Sequence, residues 1–299
     1  MHMNESSVKT GNVEIVYDTF GDRTCPAMLL IMGLSAQMII WDDEFCSRLA
    51  DRGFWVIRFD NRDVGRSTKL DSLGIPDFKN LFKGKGVPAP YSLRDMAKDT
   101  VGLLDALGVS CAHVVGVSMG GMIAQILGME YPDRVSTLTI IMSSTSNPLL
   151  PPPTPEALQF LLRPFPLEKK KYIEHFIEMW RVLNGNLLPI DEGLLRKLGE
   201  RTYERGVSVA GSARQLAAVL SSPSRKEQLA SMRIPTLVIH GESDPLLPLK
   251  CGEDVARSIP GSKLKTIPGM GHALPPAVWD EVIDAIERHA RSSGKTCGR

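Results

Sequence analysis

Five short apolar runs, each bounded by turn residues, constrain this chain most: AMLLIMG (27–33), FWVIRFD (54–60), CAHVVGVS (111–118), RVSTLTIIMS (134–143) and PTLVIHGE (235–242). Runs this rich in Val, Ile and Leu suit strands buried on both faces of a mainly parallel sheet. VEIVYDTFG (13–21) alternates and reads as an antiparallel edge strand, and KLKTIP (263–268) as a short late strand. Helical periods lie between them. In SLRDMAKDTVGLLDALG (92–108), Leu93, Met96, Ala97, Leu103, Leu104 and Leu107 share a face, with Ser92 and Asp95 as an N-terminal cap and Gly108 as a stop. GGMIAQILGMEYP follows Ser118, and AVWDEVIDAIERHARS comes last. Strands alternating with helices predict an α/β fold, a doubly wound, mostly parallel sheet with helices on both faces.

The alternation breaks at SNPLLPPPTPEAL. From there to about Pro223 the chain reads as helices only: PEALQFLLR, LEKKKYIEHFIEMWRVL, DEGLLRKLGERTYERG and GSARQLAAVLSS. The expected organisation is a core formed by 1–146 and 224–299, with 147–223 as a helical cap over one end of the sheet.

Composition removes several functions. With 43% apolar residues and a formal net charge of +1, the chain has no basic block of the kind that tracks nucleic acid. AMLLIMGLSAQMII is interrupted by Gly33, Ser35 and Gln37 and is too short to span a bilayer. The N-terminal MHMNESSVKTGN has no apolar signal core. Cys25, Cys46, Cys111, Cys251 and Cys297 are scattered, so neither a disulfide framework nor a zinc site follows. A cytoplasmic protein acting on a small molecule is expected, with no nucleic-acid or membrane partner; its oligomeric state is not legible.

One serine stands out in AHVVGVSMGGMIAQ (112–125). By composition G-x-S-x-G would arise about 0.2 times by chance in such a chain. Its setting carries the weight: an apolar strand enters Ser118 and a helix leaves it. That tight turn strains the serine backbone, at about 1–3 kcal/mol. Side chains at the flanking positions would strike the strand and helix, so Gly116 and Gly120 are required there. The turn lifts the hydroxyl clear of the sheet and aims the first helical N–H groups at whatever binds.

A hydroxyl needs a base and an anion site to act as a nucleophile, and this turn predicts the order serine, acid, histidine. Among the six histidines, His2 is in the tail, His113 and His240 are in strands, His175 is in the cap, and His289, near the end of the last helix, is expected at the surface. His272, in IPGMGHALPP beyond a strand end, is the candidate base. Asp244 in HGESDPLLP is the favoured acid over Glu242, which lies closer to the strand end; Asp244 also suits an Asx turn. The oxyanion donors are expected from the N–H groups of Met119 and of Leu34, just after Gly33.

Together these elements resemble the α/β-hydrolase family over nearly the whole chain outside the cap. GVSMG matches its nucleophile elbow, DNRDVGRS (60–67) its D-x-R-x-x-G-x-S loop, PTLVIHGESDPLLP its acid turn and IPGMGHALP its histidine loop. The usual His-Gly of the oxyanion loop is Met32-Gly33 here. That departure, with the R-D-x-G-R-S loop and the P-G-M-G-H-A-L-P segment, is similar to the aclacinomycin methylesterase branch. The resemblance implies ester hydrolysis through Ser118, His272 and Asp244 and an acyl-enzyme, with no metal or organic cofactor. Activity should then rise with pH as an ordinary imidazole, pKa about 6–7, loses its proton. Asp60 and Arg62 are expected to shape the loop near the site.

An apolar pocket is expected around these groups, built from Met38, Ile39 and Trp41, with Ile40 also apolar, beside the oxyanion loop and Phe176 and Trp180 of the cap. Tyr172, Phe176, Met179, Trp180 and Leu183 fall at helical spacing, which equally suits packing of the cap on the core. The expected substrates are small to medium apolar esters. Other serine chemistry on the same fold stays open: methylester cleavage of a polyketide-like metabolite, carbon–carbon hydrolysis, peracid formation or acyl transfer. A receptor that turns over slowly is the alternative of another class. Haloalkane and epoxide chemistry usually places Asp where Ser118 stands.

Overall fold

Alternation within each apolar run decides which face of the sheet a side chain joins. The computed structural model describes residues 5–79, 87–185 and 187–292; His2 and Cys297 lie outside the described residues. The strands are β1 (Ser6–Thr10), β2 (Val13–Phe20), β3 (Ala27–Ile31), β4 (Trp55–Phe59), β5 (Ala112–Val117), β6 (Val135–Ile141), β7 (Thr236–Gly241) and β8 (Lys263–Ile267). They form one sheet in the order β1-β2-β4-β3-β5-β6-β7-β8. β2 pairs antiparallel with β1 and β4, and the pairs from β4 to β8 are parallel.

The edge assignment needs correction. VEIVYDTFG is the second strand, and the edge is β1, whose SSVKT has no apolar run to announce it. In β3, Leu29 and Ile31 join one core while Met28 and Leu30 join the other. The first core packs α2 (Leu93–Ala106), α3 (Met119–Glu130), α8 (Lys226–Leu229) and α9 (Leu249–Ser258); the second packs α1 (Asp43–Asp51) and α10 (Trp279–Arg291). α2 starts at a full Ser92–Asp95 capping box and gives way to Gly108 at φ 69°.

Between β6 and β7 the regular elements among the described residues are helices: α4 (Pro155–Leu162), α5 (Lys169–Asn184), α6 (Glu192–Glu204) and α7 (Val209–Leu220), before α8. No helix among the described residues is long and apolar enough to cross a membrane. Cys25, Cys46 and Cys251 are free thiols.

His289 also departs from expectation. It is buried, with Nε2 3.0 Å from the Leu138 carbonyl and 3.1 Å from that of Pro235, because the last turn of α10 folds onto the sheet. Near it, buried His113 has Nδ1 2.9 Å from Thr137 Oγ1. Burial, aided by the charge of His289, pushes the His113 pKa down to about 4. The unfolded chain therefore binds a proton below about pH 6.5 that the native state refuses until about pH 4, and stability falls as pH drops through that window. The full effect is roughly 3 kcal/mol. Urea denaturation at pH 7.5 and pH 5 should show His113→Asn losing roughly 2 kcal/mol less stability than the wild type. Equal losses would contradict this assignment.

Candidate active site

The strand order reverses between β3 and β5: the chain leaves β3 for β4 on one side and returns to β5 on the other. The loops beyond such a switch point form a natural crevice. The β3 loop carries Gly33 and Leu34, and β5 delivers Ser118. Ser118 sits at φ 55°, ψ −119°, a strained conformation for a side-chain-bearing residue. Its surroundings over-determine it. Its N–H donates to the Ile141 carbonyl at 3.0 Å, and its own carbonyl accepts from Gly121 N–H at 2.9 Å and from Ser143 Oγ at 2.7 Å.

The flanking glycines are sterically required. A Cβ on Gly116 would overlap the Gly120 carbonyl, and one on Gly120 would overlap the Ile31 carbonyl of β3. A Cβ on Gly33 would sit 3.2 Å from Ser118 Cβ, so the oxyanion loop lies directly against the serine. Among the described residues, the N–H groups of Leu34 and Met119 donate no backbone hydrogen bond outside regular elements. Leu34 lines the cavity described below, whereas the Met119 side chain is buried in the core beneath. Ser35 N–H is fixed by Gln215 Oε1 of α7 at 2.8 Å, and Gln215 Nε2 donates to the Arg62 carbonyl at 2.8 Å.

His272 and Asp244 meet as a buried pair, with Nδ1 2.7 Å from Oδ2. The other carboxylate oxygen accepts from the N–H groups of Leu246 at 2.9 Å and Leu247 at 2.8 Å. One aspartate thus makes both an Asx turn and the histidine contact. Glu242 is exposed and accepts instead from Thr266 Oγ1 at 2.8 Å. With its Nδ1–H directed at Asp244, the imidazole keeps Nε2 free as a proton acceptor.

The helical insertion grips this histidine. His272 N–H donates to the Leu183 carbonyl at the end of α5, at 2.6 Å. Gly271 has no room for a side chain, because a Cβ would overlap the Leu183 and Asn184 carbonyls. Asn184, buried itself, holds the turn after α5 through Nδ2 to the Leu188 carbonyl at 2.9 Å. Gly271→Ala should therefore shift the histidine loop and lower kcat/KM about 100-fold in a protein whose circular dichroism is unchanged. Wild-type activity in that folded variant would show that the α5 contact does not set the histidine.

DNRDVGRS binds the same insertion to the core. Asp60 accepts from the N–H groups of Met38 at 2.8 Å and Arg66 at 2.9 Å, and pairs with Arg205 just after α6. Gln37 accepts from Arg205 at 3.0 Å and donates to the Thr202 and Gly206 carbonyls, both at 2.8 Å. Asp63 takes a bidentate pair from Arg214 of α7 at 2.7 and 2.9 Å, plus the Tyr91 hydroxyl at 2.8 Å. Burial lifts the Asp60 pKa despite Arg205, whereas at Asp63 burial is outweighed by Arg214, the Leu70 N–H and Tyr91, and its pKa is lowered. Arg62 pairs with Asp99 of α2 at 2.6 and 2.7 Å.

Ser118 and His272 open onto one cavity of about 770 Å³ between the sheet end and the insertion. Trp41, Phe45, Phe78, Phe160, Phe165, Tyr172, Phe176, Trp180 and Trp279 all line it, as does His175. The α5 stripe does not pack on the sheet core as one reading expected: Tyr172 and Phe176 cluster mainly with other residues of the insertion, and both line this cavity. Met38 and Ile39 do not line it. They form a short helical turn whose side chains are 0% and 1% exposed, and Ile40 takes the lining position. Sequence reasoning did not single out Gln37, Asn184, Arg205, Arg214 and Gln215. Their signal, polar residues inside amphipathic helices or loops, is indistinguishable from solvated surface until the partners are known.

Residues 26–275 match the family model of the alpha/beta hydrolase fold. The chain is 32% identical to rhodomycin D methylesterase DauP of Streptomyces sp. strain C5, covering 91% of this chain and 93% of the relative. It is 30% identical to rhodomycin D methylesterase DnrP of Streptomyces peucetius, covering 96% and 98%. Among solved structures, a hydrolase from Pseudomonas aeruginosa PA01 superposes with a TM-score of 0.68 at 25% identity, covering 98% of each chain. A family match over most of the chain, on a sheet whose switch point presents a strained serine, leads to one assignment: this chain is a hydrolase of the α/β-hydrolase family, related to esterases.

Proposed function

We propose that this protein is a carboxylic-ester hydrolase using Ser118 as nucleophile, His272 as general base and Asp244 as the group that orients the imidazole. The carrying observation is that Ser118, strained at φ 55°, opens onto the same cavity as a His272–Asp244 pair at 2.7 Å. In this scheme His272 Nε2 takes the hydroxyl proton as Ser118 Oγ attacks the ester carbonyl. Asp244 stabilises the resulting imidazolium without taking its proton. The Leu34 and Met119 N–H groups hold the oxyanion. His272 then protonates the leaving alcohol, and a water it activates releases the acid from Ser118.

We assign residues 147–223 the role of a cap that forms the cavity's outer wall. Two observations favour esters of flat, multi-ring compounds within this reading. The cavity, at about 770 Å³, is in the upper part of the usual range for small-molecule sites, and its walls are aromatic. The relatives above are named as methylesterases of rhodomycin D. A methyl ester of a fused-ring aromatic acid should then be cleaved with a KM at least about tenfold below that of methyl butanoate, worth about 1.4 kcal/mol of ring contact. Liquid chromatography of the released acids checks this, and equal KM values would remove the multi-ring preference while leaving the esterase reading intact.

A further inference from the structure

Behind Asp244 lies a second imidazole that the proposed reaction does not use. His240, in β7, is fully buried, with Nε2 2.7 Å from the Leu247 carbonyl and 3.5 Å from Asp244 Oδ2. A carbonyl only accepts, so Nε2 carries the hydrogen. Nδ1 is buried without a hydrogen-bond partner, and the ring packs on Gly252 of α9, where a Cβ would overlap it. A proton on Nδ1 would be a buried donor with no acceptor. Burial accordingly holds the His240 pKa below the ordinary histidine value, despite the facing Asp244 carboxylate; His272 and Glu253 are the other titratable groups facing it. The ring is thus a neutral N–H donor.

Its effect on the acid turn follows from Leu247. That residue's N–H donates to Asp244 Oδ1 at 2.8 Å, while its carbonyl accepts from His240. His240 fixes the far end of the turn whose near end aims Asp244 Oδ2 at His272. We infer that His240 is a positioning residue: an imidazole whose Nε2–H ties down the 244–247 turn and keeps the Asp244 carboxylate directed at His272. This rests on the Ser118–His272–Asp244 assignment proposed above.

The test compares the wild type with His240→Leu, His240→Gln, Ser118→Ala and Asp244→Asn on nitrophenyl butanoate. His240→Leu should lower kcat about 10- to 100-fold with KM within about twofold, because the change touches orientation and not the cavity. His240→Gln, which can place an N–H near the Nε2 position, should recover most of that loss. A folded His240→Leu with wild-type kcat overturns the inference, as does a Gln variant no better than Leu when both share the same drop in Tm. If His240→Leu does not fold, nitrogen-15 NMR of histidine-labelled wild type decides. At pH 8 His240 should carry its hydrogen on Nε2, and a hydrogen on Nδ1 in its place overturns the inference. Failure of the underlying assignment looks different: Ser118→Ala would then keep its rate, whereas the inference alone fails if Ser118→Ala and Asp244→Asn are inactive and His240→Leu is not impaired.

Discussion

Ser118→Ala is expected to lower kcat/KM for ester hydrolysis by about 10⁴- to 10⁶-fold, the range seen when the nucleophile of a working triad is removed. The loss should lie in kcat. Leu34, the aromatic walls and His272 remain in place, so a non-hydrolysable analogue should still bind within a few-fold of the wild type. Among the described residues the Ser118 side chain makes no hydrogen bond that holds the elbow; its backbone does, through Ile141, Gly121 and Ser143. Thermal unfolding should therefore be unchanged or slightly higher, since active-site groups are often kept at a cost in stability. Nitrophenyl butanoate hydrolysis and calorimetry on both proteins check this pair of outcomes.

Arg214→Leu should have the largest effect on stability. Arg214 and Asp63 side chains are both 0% exposed, and they join α7 to the loop after β4. Among the described residues, removing the guanidinium leaves the buried carboxylate with the Tyr91 hydroxyl and the Leu70 N–H as its hydrogen-bond donors. Breaking a buried pair on one side costs about 3–5 kcal/mol. The double variant Asp63→Asn, Arg214→Leu removes the orphaned charge and should regain much of it; asparagine also tolerates the positive φ of 71° at this position. Because Gln215, next on α7, holds Ser35 of the oxyanion loop, the single variant should lose activity together with stability. Urea midpoints of the two variants falling together would show that the ion pair is not what joins α7 to the core.

What the sequence discloses and what it hides divide along contact distance. The elbow is legible because its constraint is local: Gly116, Ser118 and Gly120 lie within five residues, the helix after Ser118 leaves no room for a side chain at Gly116, and β3 leaves none at Gly120. Asp244 and His272 are legible because each stands in a Gly/Pro-bounded loop beyond a strand end. The doubly wound sheet is legible because its parallel strands are apolar on both faces. β1 is not, because SSVKT has the polarity of a tail and becomes a strand only by pairing with β2. Met38 and Ile39 read as pocket residues from apolarity alone, yet Asp60 caps the Met38 N–H and both side chains enter the core. The Asp60–Arg205 and Asp63–Arg214 pairs join residues 145 and 151 positions apart, which no local pattern reports. His289 misleads for the same reason, since its acceptors belong to β6 and to the residue before β7.

The insertion therefore does more than cover the site. Leu183 holds the backbone of His272, Gln215 holds Ser35, and Arg205 and Arg214 lock both to the loop after β4. The proposed base and oxyanion loop are each set by a helix of the insertion, so lifting it as a rigid lid would dismantle the site it covers.

The central claim is that Ser118 is the nucleophile activated by His272. The most direct measurement is stoichiometric labelling with a fluorophosphonate ester, read by intact-mass spectrometry and peptide mapping alongside residual esterase activity. The account predicts one phosphonyl adduct per chain, on Ser118, with activity lost in proportion and labelling abolished in Ser118→Ala and strongly slowed in His272→Gln. Activity that survives complete labelling, or an adduct on any other residue that accounts for its loss, would contradict it.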